Sequence, residues 1–509
     1  MTPARTLPVC AALLHLATSW RYGYFRDELY FIACAKHLAW GYVDQPPFVA
    51  LAAWLSAPAG YHLVALRLLP ALAAGATVYV AIALARELGG GRYAALLTGI
   101  ATMLLPAYLL LGNVLTTTSF EPLSWTLTIY AALRIVRARS ENARRWWLLL
   151  AGALVFGAYG KYSIGLLAAA LVAGTLLTPQ RRALASPWPW AVAGIVGLCL
   201  LPNLVWQGAH GWPFVEVLRG DATHRPALQI GAALEFTDLA RNAAAFILEQ
   251  VVYTNVFAVP IWIAGIVAPF RVSALRDLRF VPIAYALVAV TAVALGAKGY
   301  YVIGIYASLV AIGAVALERA AAAWRVALPS ALLLTAAVAL PLSLPILPVD
   351  GLIAYSQRLG LTGRGGTPPH LVQPVFAEEF GWERLARDVA AVYRSLPPRV
   401  RAETAVYADT YGDAGALDFY GPRFGLPPVI SSQNSYYLWG TRGYDGRTMV
   451  AVGATRIDLL RAFYRHVTLV RTSSESYKWI VEGPAPIYLC RDPVAPLTTI
   501  WPHLRWYGA

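Results

Sequence analysis

Charge is what this sequence lacks most. Only 13% of its 509 residues are charged, against roughly a quarter in soluble domains, which excludes an ordinary water-soluble fold. Cysteine is scarce as well: four residues cannot form a disulfide framework. Cys10 and Cys199 fall in apolar runs and read as packing residues, while a bridge between Cys34 and Cys490 stays open. No GxGxxG, P-loop, Gly-x-Ser-x-Gly or metal-protease motif occurs in a suitable setting. His210 and His224 share a stretch with Glu216 and Asp221 but lack zinc-ligand spacing and read as solvated loop residues. No fixed-period repeat is present, which argues against transporter folds built by duplication.

What the chain has instead is apolar length. Hydrophobic residues make up 58%, in runs of about 17 to 25 residues, enough to cross roughly 30 Å of hydrocarbon as helix. The spans expected lie near 5–21, 62–85, 93–111, 115–134, 146–160, 163–178, 189–207, 243–268, 280–297, 301–318 and 326–346, about eleven in all. The first, which resembles a secretory signal, is read as retained because no small-residue cleavage pattern follows it. The net charge of +14 is not gathered into a groove or stripe, so nucleic acid is not the expected partner. Arginine is instead dense in short breaks: Arg86 and Arg92, Arg134 to Arg145, Arg181-Arg182, Arg271 to Arg279, and Arg319 to Arg325. With the N-terminus inside, all of these fall on the cytoplasmic side, as the positive-inside rule requires.

From about Asp350 the composition changes. Charges return, and Thr404 to Ala408, Met449 to Val452 and Val467 to Val470 read as buried strands. Trp382 to Leu396 and Ile457 to His466 have helical spacing. The expected organisation is a polytopic α-helical membrane domain over 1–348, with a first outer loop near 21–61 carrying interfacial helices. An extracytoplasmic α/β domain follows over 349–509, after a Pro-rich entry at Pro341 to Pro348.

On this topology the outer boundary collects the chemistry. Asp27 and Glu28 open a short apolar helix in YGYFRDELYFIACAKHLAWGYVDQPP; acids favour a helix N-terminus for electrostatic reasons alone, yet adjacent acids at a lipid boundary are costly unless exposed or used. Asp44 and Gln45 precede a Pro46-Pro47 elbow, which is either a simple turn or a rigid mount for an acid and an amide. Glu121-Pro122 is good helix-start chemistry and also a third outer acid, a candidate for acceptor or divalent-metal binding. Lysine occurs only at Lys36, Lys161, Lys298 and Lys478. Lys161 and Lys298 end outer spans beside tyrosines, where a lysine either snorkels or meets a phosphate. Arg67 is a further candidate of the same kind.

In order along the chain, YFRDELYFIACAKHLAWGYVDQPP, LTTTSFEPLSW, GKYSIG, KGYYVIGIYASLVAIGA and YGDAGALDFYG resemble the bacterial branch of glycosyltransferase family 39. That branch is similar to protein O-mannosyltransferases and to aminoarabinose transferases acting on lipid A. The resemblance implies a GT-C fold, a polyprenyl phosphate sugar as lipid-linked donor, and a multi-pass place in the bacterial inner membrane with the site facing the periplasm. By position, Asp27 matches the family's catalytic aspartate and Glu28 its neighbour. Asp44 matches an acid that is glutamate in aminoarabinose transferases, where Gln45 is lysine. Glu121 matches an acid at the same helix start, and Lys161, Lys298 and Tyr301 match positions near the carrier phosphate. The expected activity is inverting transfer of a monosaccharide to an envelope glycan, lipid or protein, by a monomer in the lipid bilayer. The alternative is a polytopic lipid or sugar transporter or flippase.

Overall fold

The computed structural model describes residues 3–138, 143–223, 236–318, 322–361, 374–453, 457–475, 477 and 484–508. Among the described residues four helices are long and apolar enough to cross a membrane by length and composition, Leu68–Glu87, Trp188–Ala209, Gly299–Leu317 and Trp324–Ser343, and up to six spans result if two bent pairs each count as one. Shorter apolar helices, Ala4–Thr18 and Phe280–Ala294, accompany them.

Apolar runs fall short of single straight spans where local chemistry breaks them. The 93–111 run divides into Arg92–Met103 and Pro106–Leu111, because the residue before a proline is pushed out of the helical region; Leu105 is extended at φ −66, ψ 121. The 243–268 run is likewise two helices, bent by 111°. Asn255 stands at the break with φ +71, and its Oδ1 accepts the Phe257 N–H at 3.0 Å. Pro260 then sits in the first turn of Val259–Arg271, where its missing N–H is harmless.

The C-terminal segment carries a five-stranded sheet in the order β2-β1-β3-β5-β4, with β1 Thr404–Ala408, β2 Val429–Ile430, β3 Thr448–Val452, β4 Tyr464–Ser473 and β5 Ala485–Pro493. β1 pairs in parallel with β2 and β3, while β3, β5 and β4 are antiparallel. The stretch 457–466, read as helical, is helix only over Ile457–Phe463. From Tyr464 the chain enters β4, where its backbone pairs with β5 starting at Pro493.

All five residues of β1 are buried, as expected for a strand covered on both faces. Its alternation divides the core. Val406 and Ala408 join a cluster with Trp382, Leu385, Val389, Ala414 and Leu417, whereas Ala405 and Tyr407 pack with Leu497, Ile500 and Trp501. The helix Trp382–Ser395 buries Trp382, Leu385, Ala386, Val389, Ala390 and Tyr393, the i, i+3, i+4 stripe of an amphipathic helix.

The first of these clusters does not end at the sheet. It continues into Leu29, Tyr30, Phe31, Ile32, Val49 and Ala53 of the segment 21–61, so that segment and the C-terminal segment share one core. The helix Arg26–Lys36 is consequently buried at every position from Glu28 to Ala35. The neighbouring helix Phe48–Leu55 keeps Leu51, Trp54 and Leu55 exposed.

Candidate active site

Phe25 caps the helix Arg26–Lys36, and Glu28 closes the cap by accepting the Phe25 N–H on Oε2 at 2.9 Å. Asp27 and Glu28 thus sit in one first turn, but successive helical residues diverge by about 100°, and their surroundings differ completely.

Glu28 is fully buried. Its Oε1 accepts Arg67 Nε at 2.8 Å and the Leu115 N–H at 2.9 Å, and its Oε2 accepts Arg67 Nη2 at 2.8 Å. Arg67 also donates to the carbonyls of Ser19 and Gly23 and to Glu379 Oε2 at 3.3 Å. Neither Glu28 nor Arg67 has exposed side-chain surface. Desolvating such ions is expensive, and saturating them with hydrogen bonds offsets that cost. Arg67, expected to meet a carrier phosphate, is therefore committed to interior partners, and Glu28 has no open oxygen with which to take a proton. Burial pushes Glu379 up to about 8, with the Glu28 charge adding to the rise and Arg67 opposing it.

Asp27 is 27% exposed at its side chain. Its Oδ1 accepts the Tyr411 hydroxyl at 2.9 Å, with Arg26 Nε at 3.4 Å. Among the described residues its Oδ2 has no hydrogen-bond partner. Asp44 lies close enough for the two charges to interact. It accepts from the Tyr30 hydroxyl at 2.8 Å and from Asn434 Nδ2 at 3.2 Å, and burial pushes it up to about 7, opposed by the Tyr30 hydrogen bond and reinforced by Asp27. Gln45 is turned to other work: it is buried, with Nε2 3.6 Å from Cys34 Sγ. Cys34 and Cys490 are both free.

A second group forms around Glu121, the first residue of the helix Glu121–Arg137. Glu121 is buried and accepts from Lys161 Nζ at 3.1 Å and from the Ser163 hydroxyl. Lys161 also donates to Thr118 Oγ1 at 3.0 Å and lies 5.2 and 4.9 Å from the ring centres of Tyr300 and Tyr301. Lys298 is exposed, 5.8 Å from the Tyr300 ring centre. The turn bearing these residues is tied down by Glu249 and Gln250, which bind the N–H and carbonyl of Gly299 at 2.7 and 3.1 Å. Tyr300 lies within electrostatic reach of both Glu121 and Asp27.

The arrangement thus offers a carboxylate with one open oxygen and, around Tyr300, two ammonium groups set among tyrosines. Among the described residues no three His, Cys, Asp or Glu side chains gather into a metal-binding set. His224 lies outside the described residues; His210 Nδ1 is engaged with the Trp206 carbonyl at 2.8 Å. Tyr411, Asn434, Glu379 and Tyr300 were missed as site residues in the sequence. Tyr411 and Tyr300 carried a signal, since they lie in the YGDAGALDFYG and KGYYVIGIY stretches.

Residues 44–206 match the family model described as dolichyl-phosphate-mannose-protein mannosyltransferase, which indicates a glycosyltransferase using a lipid-linked sugar. In three dimensions the chain is similar to ArnT from Cupriavidus metallidurans bound to undecaprenyl phosphate, with a TM-score of 0.63 at 15% identity, covering 95% of this chain and 97% of that one. The apo state of the same protein gives a TM-score of 0.59 at 14% identity over the same shares. The fold is accordingly the GT-C fold of membrane glycosyltransferases. No curated protein matches the chain by sequence.

Proposed function

We propose that this chain is an inverting glycosyltransferase that moves a monosaccharide from a polyprenyl phosphate of the undecaprenyl or decaprenyl class to a cell-envelope acceptor at the outer face of the inner membrane. One observation carries the reading: of two adjacent acids, Glu28 is saturated by Arg67 and backbone N–H groups, while Asp27 keeps Oδ2 without a partner among the described residues, near Tyr300 and its two lysines.

In this reaction Asp27 Oδ2 accepts the proton of the acceptor hydroxyl or amine as that atom attacks the anomeric carbon. The attack comes from the face opposite phosphate, so the configuration inverts. The bond from the anomeric carbon to the phosphate oxygen breaks, and its electron pair leaves on the polyprenyl phosphate. A positioned base contributes ~10²- to 10⁴-fold. Lys161 and Lys298 stabilise the leaving phosphate, with Tyr301 as hydroxyl donor, because cations aimed at developing charge act strongly where water is scarce. Lys161 would exchange part of its contact with Glu121 for the phosphate. Asp44 and Glu121 border the sugar and acceptor, whereas Glu28 and Arg67 hold the loop that presents Asp27.

The membrane part comprises 1–348 and the C-terminal unit 349–509, the latter on the same side as the first outer loop. Their shared core around Leu29, Tyr30, Val406 and Ala414 supports this placement. Exposed Leu51, Trp54 and Leu55 on one short helix suit the headgroup boundary of the bilayer.

The test is mass spectrometry of envelope glycans and lipids from cells with and without the gene, and with Asp27→Asn in its place. One sugar-bearing species is expected to vanish on deletion and to stay missing with Asp27→Asn, while that variant accumulates in the membrane at the normal level. Full recovery by Asp27→Asn rules out Asp27 as the base.

A further inference from the structure

The YGDAGALDFYG stretch has so far no part in the reaction, although it lies against the residues that do. Its helix, Tyr411–Tyr420, crosses the helix Arg26–Lys36 at very close range. A Cβ at Gly415 would fall 2.8 Å from the Leu29 carbonyl carbon and 2.9 Å from the Tyr30 nitrogen; at Gly412 it would meet Arg26 Cγ at 2.5 Å. Only glycine permits this approach, and the approach brings the Tyr411 hydroxyl to Asp27.

We propose that Tyr411 is a positioning residue for Asp27: its hydroxyl holds Oδ1, fixes the rotation of the carboxylate and leaves Oδ2 for the acceptor proton. The proposal rests on the reading of Asp27 as the base. It makes the C-terminal segment part of the transfer site.

Three observations support it. First, Tyr411 is itself fixed: Gln433 Oε1 accepts its backbone N–H at 2.6 Å, its ring lies 4.9 Å from that of Tyr30, and the Arg26 guanidinium lies 5.3 Å from its ring centre. Second, the same segment holds Asp44, another acid of the loop. Asn434 donates to Asp44 at 3.2 Å, and Asn434 adopts φ +48, a conformation that asparagine tolerates better than most side chains. Third, the join is continued by Ser435, whose N–H donates to Tyr30 Oη and whose Oγ accepts the Val43 N–H, both at 3.2 Å. Asp27 and Asp44 are thus both held from more than 380 residues away along the chain.

A tyrosine needed only for docking would use its ring, and phenylalanine would replace it. A tyrosine that orients the base needs its hydroxyl. Burial and the Asp27 charge hold that hydroxyl well above its ordinary range, so it remains a donor.

The experiment uses the full chain in membranes of cells lacking the gene, and follows formation of the species whose mass disappears on deletion. Initial rates are measured from pH 5 to 9 for the wild type, Tyr411→Phe, Tyr411→His and Asp27→Asn, with membrane level and thermal stability recorded for each. Tyr411→Phe is expected at the normal level, with a rate ~10- to 100-fold lower, the fold-change of one charge-assisted hydrogen bond. The loss should fall on kcat rather than KM, as expected when an interaction serves the transition state rather than binding. Tyr411→His, which keeps a ring N–H, should recover part of the rate. A wild-type rate and pH profile in Tyr411→Phe overturns the proposal. So does a loss confined to protein level, with unchanged rate per molecule in both Tyr411 variants. If Asp27→Asn is active, or no species disappears on deletion, the proposed function fails first and this inference fails with it.

Discussion

Arg67 meets Glu28 in a bidentate ion pair, with two N···O distances of 2.8 Å and no exposed surface on either side chain. Because the pair also binds the Ser19 and Gly23 carbonyls and the Leu115 N–H, it ties three stretches of chain beneath Asp27. Glu28, beside Asp27, is on these contacts a structural anchor.

Replacing Glu28 with Ala leaves the Arg67 charge buried and mostly unmatched, since Glu379 alone remains beside it. Breaking a buried pair in this way costs about 3–5 kcal/mol. The expected outcome is a large fall in Tm and in folded protein in the membrane, measured by thermal unfolding in detergent. A variant as stable as the wild type would show that the pair does not anchor the loop.

Glu379 makes stability depend on pH. Its carboxyl is raised from 4.5 to about 8, so between these values the folded chain holds a proton that the unfolded chain has lost. The associated stability is complete below about pH 4.5 and declines as pH rises through about 8. Glu379→Gln should remove this decline, which amounts to a few kcal/mol at most. Melting temperatures of both proteins from pH 5 to 9 provide the check; parallel curves count against it.

The two lysines should respond differently. Lys298 is exposed and makes no ion pair among the described residues, so Lys298→Ala is expected to weaken undecaprenyl phosphate binding by roughly fivefold while leaving Tm unchanged, about 1 kcal/mol in affinity. Lys161 neutralises buried Glu121, so Lys161→Met should lower affinity and Tm together. Native mass spectrometry with added undecaprenyl phosphate, beside thermal unfolding, separates the cases.

Gly415→Ala tests the docking of the C-terminal segment. The added methyl would press on the Leu29 and Tyr30 backbone at 2.8 to 2.9 Å, which cannot yield as a side chain can. Overpacking of this kind costs ~1–3 kcal/mol. Faster hydrogen exchange in both the Arg26–Lys36 and Tyr411–Tyr420 helices is expected, and unchanged exchange in both would contradict the contact.

Most helices were legible because their signal is local. The apolar period over Trp382–Ser395 states both the element and the buried face, while the continuous run over Leu68–Glu87 states the element alone. Breaks were less legible. At 243–268 an apolar run continues through Asn255, and only the turn made by that residue divides it. At 457–466 helical spacing competed with a pairing partner in β5, and the sheet took the chain from Tyr464 onward.

The RDE and DQPP stretches and the sparse lysines were sufficient, from the sequence, to select Asp27, Glu28, Asp44, Glu121, Lys161 and Lys298 as a set, since residue type and position between apolar runs are properties of the chain alone. Their separate roles were a matter of tertiary structure. Asp27 and Glu28 are chemically near-equivalent neighbours, and what distinguishes them is which direction each faces and what arrives there: Arg67 at one, Tyr411 at the other. Those partners come from 39 and 384 residues away. No local pattern encodes such a distance; it is set when the sheet's helices and the segment 21–61 close over a common core.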